Sequence, residues 1–146
     1  MFMNQLTLNN IYNILENRTK DDKVKTLKDL PQPDLFKDIQ KATKRIIEAI
    51  QTSEHITIVG DYDVDGVVST SIMVEFFNDL GVKVNYIIPN RFIHGYGLSP
   101  KIVENIDSGL IITVDNGISA MEAANICKEK GLDLIITDHH TVGEVL

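Results

Sequence analysis

Short apolar runs rich in isoleucine and valine alternate with helix-like segments from residue 55 onward. The predicted strands are residues 56–59, 82–88, 110–114 and 134–137. The predicted helices are residues 66–80, 100 to about 107, and 119–130. Strands that alternate with helices form βαβ units and a parallel sheet. Because the runs are apolar without strict alternation, the sequence predicts an α/β fold whose sheet has helices on both faces.

The ends of these predicted helices carry typical signals. Gly81 and Gly131 follow the last apolar residue of a helical pattern, where glycine commonly ends a helix. Ser99 and Pro100 fit an N-cap and a first helical position. The segment 66–80 has the spacing of a buried stripe, formed by Val68, Ile72, Met73, Phe76, Phe77 and Leu80.

Residues 1–50 have a different pattern. A short helical pattern contains Leu8, Ile11, Ile14 and Leu15, and a second one covers residues 35–51. Residues 21–34, which include Pro31 and Pro33, indicate a loop or linker between the two. We expect a helical N-terminal lead-in over residues 1–50, packed against the sheet or a partner, and an α/β catalytic domain over residues 51–146.

The charge of the chain is unevenly distributed. The net charge is −7, from 14 basic and 21 acidic residues. Residues 1–50 carry nine Lys/Arg and seven Asp/Glu, whereas residues 51–146 carry five and fourteen. Bulk charge therefore does not predict a nucleic-acid partner, because no continuous basic face is visible. Bound divalent cations would neutralise part of the acidic half.

The sequence contains no targeting or membrane signal. No apolar run approaches the roughly 18 residues that a membrane span needs. The first residues lack the basic and apolar regions of a secretory signal, and Cys127 is the only cysteine. We expect a cytoplasmic protein without membrane association.

Acids and histidines recur directly after the predicted strands. They are Asp61, Asp63 and Asp65 after the first strand, Asp115 after the third, and Asp138, His139 and His140 after the fourth. Ligands bind open parallel sheets beyond the carboxyl ends of the strands. Carboxylates suit hard cations, and borderline metals also accept imidazole. The pattern predicts a metal site for phosphoester chemistry at this edge.

Each of these groups also has a plainer interpretation. In an extended segment Asp61, Asp63 and Asp65 would share one side, but the segment also fits a solvated acidic turn. An EF-hand is a third option, although Ile72 stands where its closing glutamate belongs. Asp115 alone fits a strand-to-helix turn, and residues 138–140 alone fit a polar loop. The metal interpretation depends on their shared position, which would also let Asp115 bridge two ions.

A glycine-rich segment follows the second predicted strand at residues 89–97. Arg91 could bind a phosphate through two hydrogen bonds from its planar guanidinium, and Tyr96 could stack on a base. The alternative is an ordinary surface loop. His94 is interpreted as polar loop surface, and Cys127 as a small core residue.

Four segments together resemble the DHH phosphoesterase superfamily. They are Gly60-Asp61-Tyr62-Asp63-Val64-Asp65-Gly66, the Pro89–Gly97 segment, Val114-Asp115-Asn116-Gly117, and Asp138-His139-His140. The first two resemble the branch of single-strand-specific exonucleases named RecJ. The resemblance covers about residues 50–146.

This resemblance implies a two-metal phosphodiesterase that uses Mn²⁺ or Mg²⁺. Its implied substrate is single-stranded DNA, degraded from the 5′ end in DNA repair and recombination, with other repair or replication proteins as further partners. Carried onto this chain, it makes Asp63, Asp65, Asp115 and His139 metal ligands, with Asp61 and Asp138 ligating or supporting them. It places His140 and Arg91 at the substrate phosphate.

The family pattern also includes parts that this sequence lacks. They are a further metal-ligating aspartate downstream, a second domain that completes the cleft, and a nucleic-acid-binding module; the sequence ends six residues after His140. We expect an N-terminal fragment, with a catalytic domain incomplete at its C-terminal end, that can be inactive by itself.

Two other functions stay open. A DHH enzyme for small substrates, such as oligonucleotides or cyclic dinucleotides, usually begins its first motif with a histidine and a Pro-Asp pair, which Gly60-Asp61-Tyr62 lacks. A non-catalytic DHH-like module of a replication complex would have lost metal ligands, and this sequence retains each one it could hold.

Overall fold

The computed structural model describes residues 7–19 and 26–141. The chain divides into two compact units, residues 1–39 and residues 40–146. Helix α2, at Ile39–Gln51, crosses the boundary predicted between residues 50 and 51. The division into a lead-in over residues 1–50 and a catalytic domain over residues 51–146 stays a prediction.

The first unit contains helix α1, at Leu8–Thr19, and two 3₁₀ turns at Leu27–Asp29 and Pro33–Leu35. The apolar side chains of α1 are exposed, namely Leu8, Ile11, Tyr12, Ile14 and Leu15. The predicted loop 21–34 falls partly on residues 20–25, which lie outside the described residues. The helix predicted from residue 35 begins only at Ile39, because the Pro33–Leu35 turn and the left-handed φ of 58° at Asp38 precede it.

The second unit holds the parallel sheet. After α2, its elements are β1 (Ile56–Val59), α3 (Val64–Asp79), β2 (Asn85–Ile87), α4 (Pro100–Glu104), β3 (Leu110–Val114), α5 (Met121–Lys130) and β4 (Asp133–Thr137). Gly81 and Gly131 follow α3 and α5 with φ of 72° and 70°, which confirms the predicted helix ends. Ser99 is the N-cap of α4 as predicted, although its side chain makes no capping hydrogen bond.

The four strands are all parallel, in the order β2-β1-β3-β4. The chain passes from β1 to β2 on one side and then returns past β1 to β3 on the other. The strand order therefore reverses between β1 and β3, and the loops that follow these two strands flank a crevice at the switch point.

Each face of the sheet is covered, as predicted. Side chains of β1 and β3 alternate between two cores because successive residues of a strand face opposite sides. Val59 and Ile111 pack with α4 and α5 around Val103 and Cys127. Ile58 and Ile112 pack with α2 and α3 around Ala49 and Phe77. Cys127 is thus a core residue, as its interpretation from the sequence proposed.

The predicted buried stripe on α3 is largely wrong. Phe77 is fully buried and Met73 packs against the same core. The row Val68, Ile72, Phe76 and Leu80 is instead 51–61% exposed. Apolar residues occur around most of this helix, and only one side of it can face the sheet. Sequence spacing alone does not distinguish that side from the opposite one.

Three elements are shorter than the sequence predicts. Strand β2 starts at Asn85 because Val82 and Val84 pack on the core before strand pairing begins. Helix α4 ends at Glu104, where the backbone N–H groups of Asn105 and Ile106 donate to the carbonyls of Ile102 and Val103, respectively. Helix α5 begins at Met121, after a turn that contains Gly117 with a φ of 110°.

Arg45 joins α2 to the start of two strands. Its Nη2 lies 2.7 Å from Oε1 of Glu54, and its Nε lies 2.6 Å from Oδ2 of Asp133. The Arg45 side chain is only 22% exposed. The pair of contacts therefore fixes the helix against the sheet edge opposite the acidic loops.

Replacing Arg45 by methionine, which keeps most of the aliphatic stem, is expected to lower the free energy of unfolding by about 1–2 kcal/mol. The reason is the loss of two charge-assisted hydrogen bonds. Urea denaturation measures the change, and Lys44→Met is the control because Lys44 is an exposed neighbour on the same helix. Equal stability of the two variants would contradict this role for Arg45.

No helix in the described ranges, 7–19 and 26–141, combines the length and apolar character that a membrane crossing requires.

Candidate metal centre

The acidic loops lie at one edge of the sheet because all four strands are parallel. Asp61 follows β1 by two residues, Asp115 directly follows β3, and Asp138 directly follows β4. The shared edge that the sequence predicted is therefore present. Asp63 and Asp65 lie at the start of α3, which leaves from the same edge.

The turn after β1 is built around a buried aspartate. Asp61 is fully buried, and its Oδ1 accepts a 2.7 Å hydrogen bond from the backbone N–H of Tyr62. Its Oδ2 has no hydrogen-bond partner among the described residues. Gly66 allows this packing, because a Cβ there would lie 2.6 Å from the Cβ of Asp61. A buried carboxylate oxygen without a donor is a site that a cation would satisfy.

The sequence predicted that Asp63 and Asp65 would alternate along an extended segment. In the structure they do not. Asp63 is extended, but it is the N-cap of α3 and its Oδ1 accepts from the backbone N–H of Gly66 at 2.9 Å. Asp65 already lies in the first helical turn. The helix begins two residues earlier than predicted because this cap satisfies one of its free N–H groups. Both side chains are exposed.

Asp115 occupies the centre of the edge. Its backbone has a φ of 63°, in the left-handed region, and its N–H donates to the carbonyl of Thr137 at 2.9 Å. The residue is 8% exposed. Burial raises the pKa of Asp115 above its usual range, and the nearby negative charge of Asp63 raises it further. A divalent cation would reverse that effect by favouring the ionised form.

The loop after β4 positions two imidazoles. Nε2 of His139 lies 3.1 Å from Oδ1 of Asp115, and Nδ1 of His140 lies 2.6 Å from Oδ1 of Asp138. The hydrogen bond to Asp138 raises the pKa of His140. Burial acts to raise the pKa of Asp138, but the backbone N–H groups of His140 and Ile118 donate to its carboxylate, and the net shift is downward. Asp138 therefore stays ionised and orients His140.

Three possible ligands meet at this point. One ligand atom from each of Asp115, His139 and His140 lies within 4.8 Å of the other two. Bonds from nitrogen or carboxylate oxygen to a divalent metal are about 2.0–2.2 Å long, so small side-chain rotations would bring this set around one ion. Asp63 and Asp65 are not part of the set, but their charges act on Asp115.

Asn116 connects the site loops to one another. It is fully buried, and its Oδ1 accepts from the N–H of Leu98 at 2.9 Å. Its Nδ2 lies 2.9–3.0 Å from the carbonyls of Val59, Gly60 and Val114. The sequence indicated only turn chemistry here. A signal was present, since an amide directly after a buried strand has to find partners in the fold.

The glycine-rich loop contributes Arg91 and Tyr96 beside the acids. The guanidinium of Arg91 lies 5.7 Å from the centre of the Tyr62 ring. Tyr62 meets Tyr96 edge to face at 6.1 Å, and Tyr96 meets His140 in the same manner at 6.3 Å. Arg91 is therefore outside the candidate metal cluster of Asp115, His139 and His140, but a row of ring contacts joins it to that cluster.

Burial and the charge of Asp61 raise the pKa of Tyr96 to about 12. Its hydroxyl therefore keeps its proton at neutral pH and can donate a hydrogen bond.

A cavity of about 370 Å³ opens beside His140. It is lined by residues 96–98, by residues 117–120, and by Asp138 and His140. The volume is within the range of small-ligand sites.

The donor set fits a divalent cation. It combines carboxylates and imidazole, it includes the unpaired oxygen of Asp61, and the cluster at Asp115 has the necessary spacing.

The family model described as "DHH family, N-terminal domain" matches residues 55–146. The chain belongs to the DHH family. The resemblance inferred from the four sequence motifs is thereby confirmed.

Members of the DHH family similar to this chain are named single-stranded-DNA-specific exonuclease RecJ. The protein from Bacillus subtilis is 46% identical over 121 residues, which cover 81% of this chain and 15% of the relative. That from Haemophilus influenzae is 42% identical over 126 residues, covering 84% and 22%. This chain thus spans about a fifth or less of the length of the relatives it matches.

Solved structures of this DHH branch share the fold. A crystal structure of exonuclease RecJ bound to manganese matches with a TM-score of 0.68 and 36% identity, over 80% of this chain and 30% of that chain. RecJ from Thermus thermophilus, in complex with Mn²⁺, matches with a TM-score of 0.62 and 34% identity, over 79% and 17%. The α/β fold predicted from the sequence is confirmed.

Proposed function

We propose that this DHH chain is the metal-binding part of a phosphodiesterase that hydrolyses single-stranded DNA from its 5′ end. The observation that carries the proposal is the convergence of Asp115, His139 and His140 within 4.8 Å at the carboxyl edge of the sheet, where Asp115 and His139 are assigned to the metal and His140 to the substrate phosphate beside it. The similarity to RecJ exonucleases, and to two solved RecJ structures that contain manganese, supports both the substrate and the metal. A role in DNA repair and recombination in the cytoplasm belongs to the same proposal.

The proposed metal ligands are Asp63, Asp65, Asp115 and His139, with Asp61 and Asp138 in support. This number of donors would suit two ions, Mn²⁺ or Mg²⁺, and Asp115 would be the central donor of the edge. Bound there, divalent cations would neutralise charge on the phosphate and assist displacement at phosphorus. They would also offset the acidic balance of residues 51–146, so that a polyanion can approach.

The substrate phosphate is assigned to His140 and Arg91. Asp138 holds Nδ1 of His140 at 2.6 Å, which fixes the ring and favours its protonated form. A protonated His140 can donate to a phosphate oxygen or to the leaving group. Arg91 can form two parallel hydrogen bonds with a phosphate farther along the strand.

The complete activity belongs to a longer assembly in this proposal. RecJ relatives are several times longer than this chain, so further domains or partner proteins of repair and replication would complete the DNA cleft. The helical lead-in over residues 1–50 would serve as an attachment to such parts.

Mn²⁺-dependent hydrolysis tests the proposal directly. A single-stranded oligonucleotide labelled near its 3′ end is expected to shorten from the 5′ end, whereas a blunt duplex of the same sequence is not. Asp63→Ala/His139→Ala is expected to reduce the rate about 100-fold or more. Asp107→Ala is the control, because Asp107 precedes β3 at the opposite edge of the sheet.

The outcomes separate the candidate functions. Release of nucleotides from the single strand that the double variant loses supports the proposal. Equal rates in the double variant and the Asp107 control would place the chemistry elsewhere. Hydrolysis of cyclic dinucleotides but not of DNA would favour a small-substrate enzyme. If the chain alone hydrolyses neither, the assay is repeated on a chain extended with the further domains of a RecJ relative, and hydrolysis of neither substrate by that extended chain would favour a non-catalytic module.

A further inference from the structure

Phe92 is the most exposed large apolar side chain in the described part of the chain. It is 95% exposed, and the adjacent Ile93 is 58% exposed. An aromatic side chain left in water forgoes the stabilisation that burial of its ring would give. An exposed ring beside a candidate active site is therefore available to a partner that would cover it.

The loop holds Phe92 in this position by its own hydrogen bonds. Oδ1 of Asn90 accepts from the backbone N–H groups of Phe92 and Ile93, at 3.0 and 3.3 Å. The N–H of Asn90 donates to Nδ1 of His94 at 3.0 Å, and the N–H of His94 donates back to the carbonyl of Asn90 at 2.8 Å. Nζ of Lys101 donates to the carbonyl of Ile93 at 3.0 Å. Phe92 thus lies in a turn whose backbone is fixed by hydrogen bonds.

The position of Phe92 relative to the metal centre indicates what could cover it. Successive contacts of 6.3, 6.1 and 5.7 Å lead from His140 through Tyr96 and Tyr62 to Arg91, the residue directly before Phe92. The guanidinium of Arg91, which can bind a phosphate, and the exposed ring of Phe92, which can stack on a base, are therefore on adjacent residues. This combination of basic and aromatic side chains is how proteins bind single strands.

We propose that Phe92 stacks on a base of single-stranded DNA whose phosphate Arg91 contacts. The inference rests on the proposed function and adds to it a contact with the base itself. Stacking needs an unpaired base with a free face, so Phe92 would contribute to the preference for single strands over duplex. It would tolerate any base, because each base offers a π face.

A tryptophan at position 92 allows a direct test, because the chain contains no tryptophan. Phe92→Trp is titrated with a phosphorothioate oligodeoxythymidylate, which resists hydrolysis, and with an abasic oligomer of the same length, both in Mn²⁺. We expect the base-bearing strand to quench the fluorescence of the introduced indole and the abasic strand to leave it unchanged. Phe76→Trp is the matched control, on the exposed side of α3 and about 18 Å along the helix axis from its start.

Affinity measurements give a second, independent result. Fluorescence anisotropy of a labelled oligodeoxythymidylate is expected to show about tenfold weaker binding by Phe92→Ala and Phe92→Leu, with Phe92→Tyr close to the original chain. A merely apolar contact would be kept by leucine. The thermal unfolding midpoint is expected to stay unchanged in all three variants, because the ring makes no core contact.

The result that overturns the stacking proposal is specific. If the oligonucleotide binds but the indole of the Phe92→Trp variant is not quenched, or if Phe92→Leu binds as the original chain does, Phe92 serves another partner while the proposed function stands. If the original chain does not bind the oligonucleotide in Mn²⁺ at all, the stacking proposal fails, whereas the proposed function, which assigns the complete DNA cleft to further domains, is decided by the hydrolysis assay.

Discussion

Replacing Asp115 by asparagine is expected to weaken Mn²⁺ binding by about 100-fold or more. Asp115 is the central, 8% exposed member of the ligand cluster and lies 3.1 Å from Nε2 of His139. An amide lacks the negative charge that a divalent cation needs, while asparagine tolerates the left-handed backbone at this position. Isothermal titration calorimetry with MnCl₂ measures the loss.

Glu122→Gln is the matched control for this experiment. Glu122 undergoes the same exchange of acid for amide, but it lies in the first turn of α5 and outside the cluster. Its binding isotherm is expected to match that of the original chain. Equal effects of the two substitutions, whether both large or both negligible, would contradict the assignment of Asp115 as a ligand.

Replacing Asn116 by alanine is expected to lower the free energy of unfolding by about 3 kcal/mol or more. The side chain is fully buried, and its loss leaves the N–H of Leu98 and three strand-end carbonyls without their partner. Gly97 packs so tightly on Asn116 that a Cβ there would come within 2.8 Å of the Asn116 Cβ. Urea unfolding followed by circular dichroism measures the change.

Asn105→Ala is the control for that loss. Asn105 also bonds through its amide to a carbonyl, that of Lys101 at 2.7 Å, but it is exposed at the end of α4. Its replacement is expected to cost less than about 1 kcal/mol. Similar stabilities of the two variants would show that Asn116 does not connect the site loops.

The sheet and its acidic edge could be predicted from the sequence because both follow from local patterns. Strand β3 was predicted at the residues it occupies, since an apolar run between turns has few alternatives. The positions of Asp61, Asp115 and Asp138 then follow from the parallel direction of the strands. The strand order could not be predicted, because periodicity does not record which strands are neighbours.

Two aspects of the site differ from the prediction, one through a local hydrogen bond and one through tertiary contacts. The capping role of Asp63 replaced the expected alternation of Asp61, Asp63 and Asp65, because a helix N-terminus offers donors that an extended segment does not. The bonds of Asn116 reach Val59 and Gly60, 57 and 56 residues away, and no local pattern indicates such partners. Ligand types are thus visible in the sequence, whereas the groups that position them are not.

The left-handed backbone of Asp115 sets the stability of the folded chain against the proposed use of its carboxylate. A residue with a side chain is strained at a φ of 63°, and its buried carboxylate sits close to other negative charges, so both features weaken the folded state. Glycine at position 115 would relieve both at once and would be favoured if folding were the only requirement. An aspartate at this position is therefore unfavourable for folding alone, and its presence agrees with the proposed role of its carboxylate as a metal ligand.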